Sequence, residues 1–212
     1  NKNYSIDLLD DFSRGKNDNF LEQLNTNPNI NIINVNLKNK EHLINLDNNY
    51  NIIFHFAAIV GVENVLSSPF NVLKNNVEIL LNILSVAKKQ KKLNKFVFSS
   101  TSEVYAGTLE YFGLDFPTKE TTPLSAGNIQ NKRNSYLLSK IYGESLCIHS
   151  ELPIIIVRPH NIYGPRMGLS HVIPELMKKA IESNNSQLDV FSVNHRRTFC
   201  FIDDAVVAIQ KL

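Results

Sequence analysis

The chain contains the segment Asn51-Ile-Ile-Phe-His-Phe-Ala-Ala58, a nearly continuous apolar run that is typical of a strand buried on both faces. Apolar residues then recur near helical spacing from Pro69 to Gln90 and predict a long helix. A second apolar run, Phe96-Val-Phe-Ser-Ser100, predicts the next strand. This strand–helix–strand order is the unit from which parallel sheets are built.

The same alternation extends in both directions along the chain. Upstream, we predict strands at Tyr4 to Asp10 and Ile30 to Val35, and short helices at Phe20 to Leu24 and Glu41 to Leu46. Downstream, we predict a loop at Ala106 to Arg133. Helices are predicted at Ser135 to Ser150, at Pro174 to Ser183 and from Asp203 to Leu212. Strands are predicted at Pro153 to Arg158 and at Leu188 to Val193. The predicted fold is α/β, with a doubly wound parallel sheet and helices on both faces.

The composition is ordinary for a globular domain and excludes several classes of protein. The 212 residues are 43% hydrophobic, and the net charge of +2 gives no electrostatic case for nucleic acid as a partner. No apolar stretch reaches the roughly 18 residues of a membrane span. Cys147 and Cys200 have neither metal-ligand spacing nor a disulfide pattern, so we expect no metal and a reducing cytoplasm. The cluster Lys88, Lys89, Lys91 and Lys92 fits the end of a helix.

The chemistry is expected at Tyr136-Leu-Leu-Ser-Lys140, near the start of a predicted helix. Residues four apart share a helix face, and an ammonium beside a phenol lowers the pKa of the phenol, so that tyrosinate can act as a general base. Taken alone, the spacing also fits an amphipathic helix with an exposed lysine head. Thr101 follows a predicted strand, and the carboxyl ends of parallel strands carry the ligand site. A Ser/Thr run is, however, also typical of a turn.

Several motifs together resemble the extended short-chain dehydrogenases/reductases, and more narrowly the NAD-dependent nucleotide-sugar epimerases, dehydratases and decarboxylases. The resemblance runs from Tyr4 to the end and rests on Asp10-Asp-Phe-Ser-Arg-Gly15, His55-Phe-Ala-Ala58, Asn76-Val77, Ser99-Ser-Thr-Ser-Glu-Val-Tyr105, Tyr136-Leu-Leu-Ser-Lys140, Arg158-Pro-His-Asn-Ile-Tyr-Gly-Pro-Arg166 and Arg197-Thr-Phe-Cys-Phe-Ile-Asp-Asp204. It implies an NAD-binding Rossmann domain over residues 1–160 and part of a small substrate-binding region over 161–212.

The resemblance implies roles for individual residues. Tyr136 would be the general base, Lys140 its partner and a ligand of the nicotinamide ribose, and Thr101 the third catalytic hydroxyl. Glu103 is either a second acid/base at the sugar or a structural carboxylate that bonds the following turn. Substrate contacts are expected from Thr101, Glu103, Asn161, Arg166, Val172 and Arg197, because arginine binds a diphosphate bidentately.

The expected cofactor is NAD. Asp10 ends a strand where the family holds the adenosine ribose, and an acid there repels the 2′-phosphate of NADP. Asn36 stands where the family often has an Asp. The resemblance places the cofactor contacts at Asp10, Asp11, Phe12, Ser13, Arg14, Gly15, Asn36, Leu37, Phe56, Ala57, Ala58, Asn76, Ser99, Tyr136, Lys140, Pro159 and Ile162.

One departure from the family is large. Its first strand and Gly-x-x-Gly-x-x-Gly turn would lie upstream of Tyr4, and the chain contains no such triplet. We therefore expect a fragment, truncated at the N-terminus, that binds NAD poorly by itself, since that turn cradles the pyrophosphate.

The expected reaction begins with oxidation of a sugar hydroxyl, usually at C4. The family's dehydratases carry an Asp-Glu pair after the catalytic Thr, and Ser102-Glu103 here counts against dehydration. The segment from Gly164 to Pro174 resembles epimerases, so we favour C4 epimerisation of a UDP-sugar. UDP-glucuronate decarboxylation is the alternative, and a non-catalytic NAD-binding regulator is the alternative of another class.

The remaining expectations concern histidines, a helix cap and assembly. We expect His55 to be a buried strand residue. His160 and His171 lie near the presumed substrate site, where each is either a substrate contact or a loop residue without that role. Asp203 and Asp204 should cap a helix. The helices Phe70 to Gln90 and Ser135 to Ser150 are apolar on more than one side, and in the family such helices form a four-helix homodimer interface.

Overall fold

The structure is a computed structural model that describes residues 4–15, 18–169, 171–183, 188, 190, 191, 193, 194 and 196–212. Its strands are β1 (Ile6–Asp10), β2 (Ile30–Asn34), β3 (Ile52–His55), β4 (Lys95–Ser99), β5 (Ile154–Val157), β6 (Ile162–Tyr163) and β7 (Cys200–Phe201). Its α-helices are α1 (Asn19–Asn25), α2 (Val62–Ser67), α3 (Pro69–Ala87), α4 (Ala106–Phe112), α5 (Asn134–Ile148), α6 (Val172–Glu182) and α7 (Ile202–Gln210). Short 3-10 turns lie at Lys40–Leu43 and Ser102–Tyr105.

The chain forms two compact units. The first comprises Asn1–Ser100 and Val104–Val157, and the second comprises Thr101–Glu103 and Arg158–Leu212. The strand pairs in both units are parallel, which confirms the predicted α/β, Rossmann-like class. Among the described residues, no helix is long and apolar enough to cross a membrane.

The first unit has its core between the strands and the helices α3 and α5. β1 pairs with β2, and β4 lies between β3 and β5, so the described strands of this unit form two hydrogen-bonded groups. Phe96 and Phe98 of β4 are completely or almost completely buried, and Leu80 and Ala87 of α3 belong to the same core. Apolar residues at helical spacing thus place one face of α3 on the sheet.

The prediction that β3 is buried on both faces is wrong. His55 is buried, but its neighbours Phe54 and Phe56 are 48% and 53% exposed. Successive strand residues point to opposite faces, and no described element covers the face that carries Phe54 and Phe56. The predicted location of His55 in a buried strand is confirmed.

The predicted loop at 106–133 is also partly wrong, because its first seven residues form α4. Two glycines, Gly107 and Gly113, read as loop signals in the sequence. Gly107 instead allows close packing, since a Cβ there would overlap the carbonyl oxygen of Ser125. Thr108 holds the same contact by donating to the carbonyl of Pro123 at 2.7 Å and accepting from the amide of Ser125 at 3.1 Å.

In the second unit, β6 pairs with β7, and α6 and α7 accompany them. The strand predicted at Leu188 to Val193 is not observed in its described residues, and Asp189 and Ser192 lie outside those residues. Phe191 and Val193 are 86% and 76% exposed, so they do not pack as strand residues. The strand that pairs with β6 lies further along, at β7.

Candidate active site

Tyr136 and Lys140 lie one turn apart on α5. The buried face of this helix contains Leu137, Lys140, Glu144 and Cys147, which recur every three or four residues. The Nζ of Lys140 lies 5.8 Å from the centre of the Tyr136 ring. The same Nζ donates to the carbonyl oxygen of Ser99 at 2.7 Å. The structure therefore brings the predicted pair together at the carboxyl end of β4.

The environment of Lys140 is unusually apolar for an ammonium. Only 4% of the residue is exposed, and its Nζ lies 5.0 Å from the centre of the Phe98 ring. Burial lowers the pKa of Lys140 from 10.5 to about 8. His55 stacks on the same Phe98, with the two ring centres 6.0 Å apart. Burial, and secondarily the charge of Lys140, lower the pKa of His55 to about 3, so the imidazole is neutral.

The segment after β1 contains the acidic residues expected at the adenosine ribose. One carboxylate oxygen of Asp10 accepts from the amide of Phe12 at 2.8 Å, and Asp11 accepts from the amide and hydroxyl of Ser13. The hydrogen bond from the Ser13 hydroxyl lowers the pKa of Asp11. Phe12 has a φ of 51°, which the Asp10 contact supports. Arg14 and Gly15 are exposed.

Other predicted cofactor residues of the first unit follow β2 and β3 or lie on α3. Asn36 accepts from the amide of Lys38 at 3.0 Å, whereas the Leu37 side chain belongs to the hydrophobic core. Ala57 and Ala58 are half-buried after β3. Asn76 is buried, and its amide bonds Ile59 and Ser139.

These donors and acceptors fit NAD. An exposed carboxylate at the end of β1 suits the two hydroxyls of a ribose, and the ammonium of Lys140 at the end of β4 suits a second ribose. The small side chains of Ala57 and Ala58 allow a ligand to approach the backbone after β3. The residues present thus match the two nucleoside ends of a dinucleotide.

In the second unit, Thr101 is buried and Glu103 is exposed. The hydroxyl of Thr101 accepts from the amide of Glu103 at 3.3 Å. Within the described residues, the Glu103 carboxylate makes no hydrogen bond or ion pair.

A polar cluster links the two segments of the second unit. The hydroxyl of Ser102 and the Nδ1 of His160 are 2.5 Å apart, and the Asn161 side-chain nitrogen lies 3.1 Å from the Nε2 of His160. The Asn161 amide also donates to the carbonyl of Thr198 at 3.1 Å. His160 and Asn161 therefore contact the Thr101–Glu103 segment and the residues before β7, respectively.

The remaining predicted substrate residues lie in the same unit. Arg166 has a φ of 66° and is exposed, as is Arg197. Val172 is 49% exposed at the start of α6, while Pro159 and Ile162 are half-buried. His171 precedes α6, and Asp203 and Asp204 lie in the first turn of α7, although no side-chain cap bond forms there.

Sequence reasoning missed several buried polar residues of α5. Ser135, directly before Tyr136, has the buried side-chain hydroxyl that finds no partner among the described residues. Glu144 accepts from the hydroxyl of Ser100 at 2.5 Å, and Ser139 donates to the carbonyl of Tyr136 at 2.7 Å. Ser135, Ser139 and Glu144 lie on the same helix as Tyr136 and Lys140. This position was the signal in the sequence that could have identified them. Over the described part of the chain, no group of three or more His, Cys, Asp or Glu residues is placed to hold a metal ion.

Comparison with known proteins identifies the family. The family described as "NAD dependent epimerase/dehydratase family" matches residues 1–212. The chain is 33% identical over 215 residues to the UDP-N-acetyl-alpha-D-glucosaminuronate decarboxylase of Bacillus cytotoxicus, covering 98% of this chain and 63% of that protein. It is 30% identical over 181 residues to an uncharacterised UDP-glucose epimerase of Bacillus subtilis (strain 168), covering 80% of this chain and 52% of the relative.

A solved structure agrees with these relatives. The dTDP-glucose 4,6-dehydratase of Bacillus anthracis, solved in complex with NAD, is 27% identical, with a TM-score of 0.74, and the match covers 98% of this chain and 62% of that chain. The chain thus spans less than two thirds of these proteins. Because the family match extends over all 212 residues, the chain belongs to the NAD-dependent epimerase/dehydratase family.

Proposed function

We propose that the protein containing this chain interconverts C4 epimers of a UDP-sugar, using NAD, through a 4-keto sugar. The observation that carries the proposal is the Tyr136–Lys140 pair, whose ammonium is buried and fixed by the carbonyl of Ser99. Family membership supports a nucleotide-sugar substrate and NAD as the cofactor.

The side chains of α5 perform the proton transfer. Tyr136 takes the proton of the C4 hydroxyl as a general base, and Lys140 stabilises the phenolate by its charge. With a pKa of about 8, Lys140 is mostly protonated at neutral pH, so the phenolate has its counter-charge. Bound NAD supplies the acceptor for the hydrogen removed from C4. The side chains proposed to hold it are Asp10, Ala57, Ala58 and Lys140.

Residues of the second unit complete the proposal. Thr101 is proposed as the third catalytic hydroxyl and Glu103 as a second acid/base for the sugar. Arg166 and Arg197 bind the diphosphate of the substrate. Residues 161–212 thus contribute to the substrate region.

A second candidate is decarboxylation of a UDP-uronate. The observation in its favour is the relative that aligns over 98% of this chain, which is a decarboxylase of such a substrate. The two candidates share oxidation at C4 and differ in the next step, since a 4-keto uronate loses its C5 carboxylate as carbon dioxide.

The test uses the full-length protein, NAD and a panel of UDP-, GDP- and dTDP-sugars, with products read by NMR. We expect conversion of a UDP-hexose to its C4 epimer. Carbon dioxide release from UDP-glucuronate without any epimer would contradict the proposal and favour the decarboxylase. If no sugar reacts while NAD binds, a non-catalytic NAD-binding regulator is the better account.

We also propose that the protein is a cytoplasmic homodimer that associates through α3 and α5. Leu81 and Tyr142 are 44% and 52% exposed, and they line a groove of about 440 Å³ between these helices. Exposed apolar side chains that flank a groove are typical of an interface. Both cysteines are free, which suits a reducing compartment. Sedimentation of the full-length protein as a monomer would refute the dimer.

A further inference from the structure

A series of side-chain hydrogen bonds in the second unit runs from Thr198 to Ser102 through His160. The side-chain nitrogen of Asn161 lies 3.1 Å from the carbonyl oxygen of Thr198 and 3.1 Å from the Nε2 of His160. The Nδ1 of His160 lies 2.5 Å from the hydroxyl oxygen of Ser102. Both ring nitrogens of His160 are therefore engaged.

One backbone carbonyl sets the direction of these hydrogen bonds. The carbonyl oxygen of Thr198 can only accept, so the Asn161 atom that faces it is the amide nitrogen, which can only donate. The same nitrogen faces the Nε2 of His160, so Nε2 is the accepting, unprotonated atom. The neutral imidazole then carries its proton on Nδ1 and donates it to the hydroxyl oxygen of Ser102.

Backbone hydrogen bonds hold the same segments together on both sides of the histidine. The amide of Ser102 donates to the carbonyl of Pro159 at 3.0 Å, and the amide of Cys200 donates to the carbonyl of Asn161 at 3.2 Å. Asn161 has a φ of 39°, a left-handed conformation that asparagine adopts more readily than most residues. The backbone therefore keeps Ser102 and Asn161 beside His160, where each reaches one ring nitrogen.

A fixed tautomer of His160 gives the Ser102 side chain a single arrangement. The Ser102 oxygen accepts from Nδ1, so the hydrogen of its hydroxyl points away from His160. With the opposite tautomer, the proton on Nε2 would face the Asn161 amide, and Ser102 would have to donate. Ser102 lies between Thr101 and Glu103, the side chains proposed to act at the sugar.

We propose that His160 is a positioning residue that acts through Ser102. In its Nδ1–H form it fixes the Ser102 side chain and with it the Thr101–Glu103 segment, and Asn161 selects that form. Small displacements of reacting groups lower rates steeply, so loss of the contact to Ser102 acts on kcat. His160 is exposed, so its replacement should change the unfolding free energy little. The kinetic part of this inference rests on the proposed function, whereas the tautomer does not.

The first measurement is the tautomer of His160 in the full-length protein, read from the ¹⁵N chemical shifts of labelled histidine at about pH 8.5, where an ordinary histidine is neutral. The signals of His160 are assigned by their loss in His160→Gln. We expect a protonated Nδ1 and an unprotonated Nε2. In Asn161→Gly, which tolerates the left-handed backbone, the donor to Nε2 is gone and the proton should move toward Nε2. His42, exposed in the turn at Lys40–Leu43, is the control histidine and should give the same shifts in both proteins.

The second measurement separates the two nitrogens in turnover. His160→Asn places an amide near the position of Nδ1 and can keep the bond to Ser102. His160→Gln places its amide near the position of Nε2 and keeps only the bond to Asn161. We expect His160→Gln to lower kcat by about tenfold or more, and His160→Asn to retain about half of the wild-type kcat. Both should unfold in urea like the wild type, and His42→Gln should leave kcat unchanged.

A proton on the Nε2 of His160 in the wild type would overturn the inference, and so would His160 signals in Asn161→Gly that are identical to those of the wild type. A wild-type kcat in His160→Gln, or equal losses of kcat in His160→Gln and His160→Asn, would remove the positioning role. If the wild type converts no UDP-sugar, the proposed function fails, but the ¹⁵N spectra still decide the tautomer and its dependence on Asn161.

Discussion

Lys140 is expected to destabilise the protein at neutral pH, and Lys140→Met measures by how much. The pKa of Lys140 falls from 10.5 to about 8 on folding because the ammonium is buried. At about 1.4 kcal/mol for each factor of ten in a proton-binding constant, burial of the charged form costs about 3 kcal/mol. Loss of the hydrogen bond to the Ser99 carbonyl costs the variant about 1 kcal/mol. Lys140→Met should therefore be about 2 kcal/mol more stable at pH 7.

The sign of the pH dependence follows from the two pKa values. Between pH 8 and 10.5 the unfolded wild type binds more protons at Lys140 than the folded wild type, so its unfolding free energy rises with pH. The advantage of Lys140→Met should shrink by about 3 kcal/mol from pH 7 to 10.5.

The assay is urea unfolding of the NAD-free full-length protein at a series of pH values. Both proteins carry Tyr136→Phe, which removes the ionisation of that tyrosine from the comparison. Lys89→Met is the matched control for replacing a lysine by methionine, because Lys89 is exposed just beyond the end of α3. If the stability difference produced by Lys140→Met stayed constant over pH 7 to 10.5, the reasoning on burial would be refuted.

Three further predictions test the packing, the buried histidine and the dimer. Gly143→Ala places a Cβ 2.6 Å from the Cζ of Phe98. Overpacking should outweigh the gain in helix propensity and lower the unfolding free energy by about 1–2 kcal/mol. A variant that is more stable than the wild type in urea unfolding would contradict this. Burial lowers the pKa of His55 to about 3, so the unfolding free energy of the wild type falls as the pH drops below 6.5. His55→Leu should therefore gain about 3 kcal/mol relative to the wild type between pH 7 and 4. Parallel pH profiles of unfolding free energy for the two proteins would contradict this prediction. Leu81→Asp should convert the proposed dimer to a monomer in sedimentation. Ile129 is 73% exposed and lies outside α3 and α5, so Ile129→Asp should remain dimeric. Dimers in both variants would contradict an interface formed by α3 and α5.

Most strands and helices of the first unit could be predicted from hydrophobic periodicity, because each apolar run packs on the shared core. Two local signals misled the prediction. Gly107 reads as a loop residue, yet it serves a close backbone contact within a helical segment. The apolar run at β3 reads as buried on both faces, yet Phe54 and Phe56 lie on an uncovered face.

The candidate site was predictable where it depends on spacing along one helix, as for Tyr136 and Lys140. The Asn76–Ser139 contact joins residues 63 positions apart, and neither residue type signals a partner at that distance. Ser99 could be predicted as a residue at the end of a strand. The hydrogen bond from Lys140 to its backbone carbonyl could not be predicted, because every residue has a backbone carbonyl. Contacts of this kind depend on tertiary packing rather than on local pattern.

The central proposal is that Tyr136, as its phenolate, acts as the proton acceptor in an NAD-dependent reaction of a UDP-sugar. The most direct measurement compares the rate of UDP-hexose conversion, at saturating NAD, between the full-length wild type and Tyr136→Phe of equal thermal stability. The account predicts a fall in kcat of roughly 10²- to 10⁴-fold, which is the contribution of a positioned general base. A Tyr136→Phe rate within about twofold of the wild type, well below that contribution, would contradict it.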